Sequence, residues 1–265
     1  MTVKTKSRAK AQSKAKAKAK PTPQAQPKAK AKATVKDETV VVGIIDDALA
    51  FAHERFRIGV HPRVEYVWLQ YGAYPKPGVP AYSGTPPVDY GIELSKHDQP
   101  PYDGIDTLLG QCTHAGAVDE DEGYARAGLV DFRREGHKAA AWRIAHGTHV
   151  MDLAAGEDPS SKCEDRPIVC VQLPAMTTAD TSGADLHTYA LDAIEYILLR
   201  ADEIAARRGV AHLPVVINFS YGMIGGPHDG TSELEAAIDA IVRWRNDVVK
   251  APLAKAVGFL KSSQN

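Results

Sequence analysis

The chain has 265 residues, 44% of them apolar, and a formal net charge of -1. That is enough for one sizeable core, while no apolar run approaches the ~20 residues of a membrane span and no apolar stretch follows the basic start as a secretory signal requires. The neutral total hides a split: residues 1–36 hold eleven Lys and Arg8 with no acid, leaving 20 basic against 33 acidic groups in the rest.

Residues 1–37 read as a disordered tail. Lys alternates with Ala from Lys14 to Lys20 and from Lys28 to Lys32, and such a segment buries too little to offset its ordering entropy. A helix would also stack like charges at i,i+4. The tail is expected to solubilise the chain, to neutralise phosphates of a polyanion, or to lie on the acidic body. It holds no aromatic residue to stack on bases, so sequence readout is not expected.

Thr39 to Ile45 is a β-branched run and reads as a strand buried on both faces, as in a parallel sheet. Val64 to Leu69 reads as a second strand. Residues 71–104 are rich in Pro, Gly and Tyr and read as a surface insertion. Short helices are expected at Ile105–Gly110 and Tyr124–Phe132, and Lys138 to Ile144 leads into His146. A helix then runs through Val150 to Ala155 and stops at Gly156. Ile168 to Leu173 is expected as a strand and Asp185 to Arg207 as an amphipathic helix. Its inner face is Leu186, Leu191, Ile194, Ile197, Leu198, Ala201 and Ile204, with Gly209 after its end. Val215 to Phe219 reads as a third buried strand and Ser232 to Trp244 as a helix. Strands alternating with helices imply an α/β fold with a mostly parallel sheet and flanking helices. Such sheets bind ligands at the carboxyl ends of their strands, where Asp46 and Ser220 fall.

Asp46 closes the first apolar run, so its carboxylate emerges at the sheet's rim. Strand alternation would turn Asp47 elsewhere. His146 opens a helix beside Gly147, which permits close backbone approach, and Thr148 is a potential helix cap. A strand-end carboxylate and a helix-start imidazole are the orienter and base of a Ser-His-Asp triad. Each alone also has plainer roles, as a turn former or a packed histidine. His146 and His149 stand at the i,i+3 spacing of metal ligands, but no third ligand has a telling position and no metal or cofactor is expected. His149 reads as packed within its helix. Three cysteines, Cys112, Cys163 and Cys170, show no pairing pattern. They read as free thiols, and the expected location is the cytoplasm.

Three blocks together resemble the subtilisin family of serine peptidases. They are Val42 to Phe56, with Ile45-Asp46 and His53; His146-Gly147-Thr148-His149-Val150 through Ala154-Ala155-Gly156; and Val216-Ile217-Asn218-Phe219-Ser220-Tyr221-Gly222, followed by Gly225-Gly226-Pro227 and a helix. The order Asp then His is the family's. The resemblance implies that Asp46 orients and His146 acts as general base. It also implies that Ser220, Tyr221 and Gly222 form the strand that pairs with extended peptide substrate. The chain departs from the family at Asp46-Asp47-Ala48, where Asp-Ser-Gly or Asp-Thr-Gly is usual, and at Asp152, where a small residue is usual. With 99 residues between Asp46 and His146, residues 71–137 read as an insertion near the cleft.

No nucleophile is found. The family's Ser follows its His by about 150 residues, whereas 119 follow His146 here. Gly230-Thr231-Ser232 resembles part of the Ser block, but Ser232 followed by Glu235 before an apolar run is a capping box. The Gly-Asn pair that supplies the oxyanion donor is absent from residues 248–265. The expectation is therefore a partial peptidase domain over 38–265, truncated and inactive alone, with peptide or protein as its partner. The alternative is a non-catalytic peptide-binding module whose tail holds a polyanion. A third arrangement has another polypeptide supplying the Ser segment.

Overall fold

The computed structural model describes residues 39–71, 90–98, 103–127, 129, 145–160, 166–180, 182–183, 185–222, 226–227 and 229–250. The expected tail, the approach at 138–144, Cys163 and residues 251–265 lie outside the described residues.

The β-branched run becomes β1 (Val41–Asp46), buried at every position. A 3-10 turn (Glu54–Phe56) and a small hairpin, β2 (Arg57–Ile58) with β3 (His61–Pro62), lead to β4 (Val64–Leu69). Then come β5 (Ile92–Ser95), α1 (Ile105–Gln111), the hairpin β6 (Thr113–His114) and β7 (Ala117–Val118), and α2 (Glu120–Arg126). The remainder is α3 (His146–Ala155), β8 (Ile168–Gln172), α4 (Ala175–Ala179), α5 (Leu186–Arg207), β9 (Val215–Phe219) and α6 (Glu233–Lys250).

The main sheet has five strands in the order β5-β4-β8-β1-β9. All neighbours are parallel except β5, which runs antiparallel to β4. This is the α/β architecture expected, with helices on both faces. Side chains alternate along β1. Val42 and Ile44 join Phe51, Leu108, Tyr124 and Met151 on one face, beneath α1, α2 and α3. Val41 and Ile45 join Trp68, Val171, Ile194 and Ile197 on the other, beneath α5. Gly43 lets α5 come close, since a Cβ there would stand 2.8 Å from Ile197 Cγ2.

Several expectations change. The segment after Tyr71 is more than a surface insertion: Ile92 and Leu94 are buried in β5, and Leu108, Leu109 and Tyr124 belong to the core. The four-residue Ile-Glu-Leu-Ser alternation is too short to stand out from its Gly- and Pro-rich surroundings. The second short helix starts earlier than Tyr124, because Asp119 caps it by accepting from the Glu122 N–H at 2.9 Å. β9 is an edge strand rather than a buried one. Among the described residues no strand pairs with its outer side, and Val216 is 60% exposed. On α5, Leu191 is only half-buried, while Tyr196 is fully buried. Gly156 ends α3 with extended backbone (φ -66°) rather than a left-handed turn. Its need for glycine is steric, since a Cβ would sit 2.6 Å from the Asp152 carbonyl oxygen.

Tyr196 leads to a buried ion pair that the sequence does not announce. The Glu93 carboxylate, buried on β5, accepts from the Tyr196 hydroxyl at 2.6 Å and from Arg200 Nε and Nη2 at 2.8 and 2.6 Å. Burial still raises the Glu93 carboxyl pKa, against the pull of Arg200. Arg200→Met strands that charge and is expected to cost roughly 3–5 kcal/mol. Urea unfolding checks it, and adding Glu93→Gln is expected to recover part of the loss.

Candidate functional site

The register brings four strand ends level. Asp46 pairs with Gln172, Leu69 pairs with Gln172, and Ile45 pairs with Phe219. The chain leaves β1 through a turn in which Ala48 adopts φ +46°, a left-handed conformation that glycine would hold without strain. Three contacts hold this turn. Leu173 N–H donates to the Asp46 carbonyl at 2.9 Å, and Leu49 N–H to Gln172 Oε1 at 3.3 Å. The third is Thr148, which donates its hydroxyl to the Ala48 carbonyl at 2.5 Å and accepts from Ala50 N–H at 3.0 Å. Thr148 therefore fastens α3 to the turn, and does not cap its own helix as the sequence implied. The residue preceding α3 is Ala145, and among the described residues no side chain caps that end.

This fastening places His146 against Asp46. Nδ1 of His146 lies 2.9 Å from Asp46 Oδ1, across 100 residues of sequence. A carboxylate only accepts, so Nδ1 carries the proton, and in the neutral imidazole that leaves the lone pair on Nε2. Asp46 Oδ1 also accepts the Asp47 N–H at 2.7 Å, while Oδ2 is buried without a hydrogen bond among the described residues. Asp46 is fully buried, whereas the His146 side chain is 54% exposed. Burial raises the Asp46 carboxyl pKa, opposed by the His146 hydrogen bond. Gly147 makes the approach feasible, because a Cβ there would lie 1.7 Å from the Asp47 carbonyl oxygen.

Asp47 does not turn away as strand alternation predicts. β1 ends at Asp46, so the period-2 rule no longer applies, and Asp47 is 2% exposed. Its Oδ2 accepts from the Tyr221 hydroxyl at 2.8 Å, and its Oδ1 lies 3.4 Å from Gly147 N–H. Tyr221 in turn sets its ring against His146, with centroids 5.8 Å apart and planes at 73°. Asp46, Asp47 and His146 each offer a ligand atom, all within 4.8 Å of one another. Those groups are already hydrogen-bonded to one another and to Tyr221. His149, the other half of the i,i+3 pair, is not among them and is exposed rather than packed. It lines a cavity of about 200 Å3 with His53, Arg55 and Asp152. His53 accepts the Arg55 N–H at 3.3 Å and caps the 3-10 turn, and Asp152 is held by Arg55. A larger cavity of about 450 Å3 lies between α5 and α6 and includes none of these residues.

Ser220 follows β9, exposed, with its hydroxyl on Asn218 Oδ1 at 2.8 Å. Gly222 is exposed beyond it. Ser232 and Glu235 form the reciprocal cap expected. Glu235 N–H donates to Ser232 Oγ at 3.2 Å, and Ser232 N–H and hydroxyl donate to Glu235 Oε2 at 3.0 and 2.7 Å. Ser232→Ala is expected to cost about 1 kcal/mol by thermal unfolding. Reaction of a fluorophosphonate probe at Ser232 of the wild-type chain would contradict that role. Cys112 and Cys170 are free and buried. Sequence reasoning missed the Asp47–Tyr221 bond. Its one signal in the sequence was Asp47, a departure from the resembled family's pattern beside Asp46, and nothing at Tyr221 marked its partner.

Fold and site together define an α/β protein with an Asp–His pair at the carboxyl rim of a mostly parallel sheet. No family model and no curated protein matches the chain. Among solved structures it is similar to the CspB protease of Clostridium perfringens, at 18% identity and a TM-score of 0.45, over 76% of this chain and 33% of that one. The chain thus spans about a third of that protein's length.

Proposed function

We propose that this chain carries the base of a serine-type peptidase centre. Asp46 orients the imidazole and offsets its charge when it takes a proton, and His146 Nε2 is the acceptor. Extended peptide lies along Ser220, Tyr221 and Gly222, whose backbone follows an open strand edge. The observation that carries this reading is the 2.9 Å contact between a buried strand-end carboxylate and a half-exposed helix-start imidazole. Among the described residues no hydroxyl or thiol hydrogen-bonds to His146. Hydrolysis therefore requires a serine from outside them, and without it the site binds peptide and does not cut.

A peptide chloromethyl ketone tests base and peptide placement together. Its electrophilic carbon is attacked by an imidazole nitrogen, the N–C bond forms, chloride leaves, and the Nδ1 proton is released to solvent. Reaction is expected at His146 in preference to the other nine histidines and to be slowed by the parent peptide. Modification spread across the exposed histidines sinks the reading. The open edge of β9 also favours a second reading, a peptide-binding module without hydrolysis. It predicts peptide binding that survives His146→Gln.

A further inference from the structure

We infer that Asp47 and Tyr221 form a clamp that fixes the orientation of the His146 ring. The inference rests on the reading of His146 as a base and names two positioning residues for it. Asp46 holds the imidazole at one atom, Nδ1. A ring that is half exposed and held at one point can pivot about that bond, or swing on its side-chain torsions into solvent. A base must present Nε2 in one direction, so a second contact is needed.

Tyr221 supplies it. Its ring meets the imidazole edge to face, a favoured geometry for aromatic pairs. Tyr221 lies just beyond the end of β9, where nothing in the strand fixes its torsions. What fixes it is its hydroxyl, which donates to Asp47 Oδ2 at 2.8 Å. Thr178 of α4 hydrogen-bonds the same tyrosine. Burial, reinforced by the Asp47 carboxylate, pushes the phenol pKa up, so the hydroxyl remains a donor at neutral pH. Asp47 is itself buried and anchored in the turn after β1, with Gly147 N–H beside its other oxygen. The clamp thus joins the turn after β1, the end of β9 and the first turn of α3. Those are the three segments that must stay in register for Asp46 and His146 to meet. A serine or threonine at position 47 would be too short and carry no charge, and an aliphatic residue at 221 would have no hydroxyl. The two residues therefore depend on each other.

The test uses the full chain and the proton on His146 Nδ1, followed by NMR. In the wild-type protein a slowly exchanging Nδ1–H resonance is expected, assigned by its loss in His146→Gln. Tyr221→Phe keeps the ring and removes the tether. Asp47→Asn keeps the shape and removes the charge. Both are expected to speed exchange about 3- to 10-fold, the population change that an aromatic contact of this kind commands. Tyr221→Leu removes ring and tether and is expected to have the largest effect. Ser160→Ala, whose exposed hydroxyl bonds to Asp158 and which belongs to no part of the site, is expected to have none. Circular dichroism and thermal unfolding accompany each variant. A lowered unfolding midpoint with unchanged exchange assigns the pair to stability alone and overturns the clamp. A resonance present in the wild type and indifferent to Tyr221 also overturns it, leaving the base reading intact. A resonance absent from the wild-type protein overturns both.

Discussion

Asp46→Asn is expected to slow modification of His146 by a peptide chloromethyl ketone about 10- to 100-fold, while leaving the protein folded. The substituted amide has two orientations, and both weaken the base. With its oxygen where Oδ1 now sits, it still accepts from His146 Nδ1 and Asp47 N–H, but carries no charge to offset an imidazolium. Its nitrogen is then left in the buried Oδ2 position, an atom that makes no hydrogen bond among the described residues. With the nitrogen turned toward His146, it donates to Nδ1 and drives the ring proton onto Nε2, removing the reactive lone pair. It also then confronts the Asp47 N–H, donor to donor. A charge-assisted bond is about twice as strong as a neutral one, and each ~1.4 kcal/mol lost is a factor of ten. A rate within about twofold of wild type would mean that Asp46 does not govern the imidazole.

The same substitution has an opposite signature in stability. The Asp46 carboxyl pKa is raised above its ordinary value of 3.8, chiefly by burial. The ionised group therefore costs the folded state free energy. That cost is absent below the unfolded value and complete above the folded one, so Asp46 lowers stability as pH rises through that window. Asn removes the titration. Between about pH 4 and about pH 7, the unfolding midpoint of the Asp46→Asn variant is expected to fall less, or rise more, than that of the wild type.

Gly147→Ala is expected to be the most damaging single-methyl change at the site, costing about 3 kcal/mol or more. Inside a helix, Gly to Ala normally gains up to about 1 kcal/mol. Here the new Cβ would lie 1.7 Å from the Asp47 carbonyl oxygen and 3.0 Å from Asp46 Cβ. The obstacle is backbone, which no rotamer change relieves. Either α3 lifts from the turn after β1 or the turn unwinds, and in both cases Nδ1 leaves Asp46 Oδ1. For a chain of this size the cost corresponds to a fall in unfolding midpoint of about 6–12 °C. Gly110→Ala in α1 is the control, because its Cβ would meet nothing within 4 Å. It is expected to hold or slightly raise the midpoint. Similar midpoints for the two variants would show that α3 does not pack on Asp47 as described.

Much of this molecule is local and therefore legible in the sequence. The Val-Val-Gly-Ile-Ile run is buried on both faces, and its hydrophobicity alone marks a parallel strand with Asp46 at its end. Helix α5 follows from 3.6-residue periodicity, closed by Gly209 with φ +76°. The Ser232–Glu235 cap follows from spacing. The strand, the helix and the cap are set by residues within a turn or two of one another, or by a face that has only one way to be buried. The juxtaposition of Asp46 and His146 is not local: 100 residues separate the pair, and it was expected from the resemblance of their two blocks to the subtilisin family.

What the sequence alone determined is the four parallel strands β1, β4, β8 and β9, the helices α1, α3, α5 and α6, and the position of Asp46 at a strand end and of His146 at a helix start. Tertiary structure decided which strand is an edge, because strand order depends on pairing between segments far apart and leaves no period in the sequence. It placed β5 in the main sheet, where four residues are held by pairing to β4 rather than by their own propensity. It turned Thr148 from a cap into a fastener. It also brought Asp47 to Tyr221 across 174 residues, since a side chain just past a strand's end obeys the packing around it and no longer the strand's alternation.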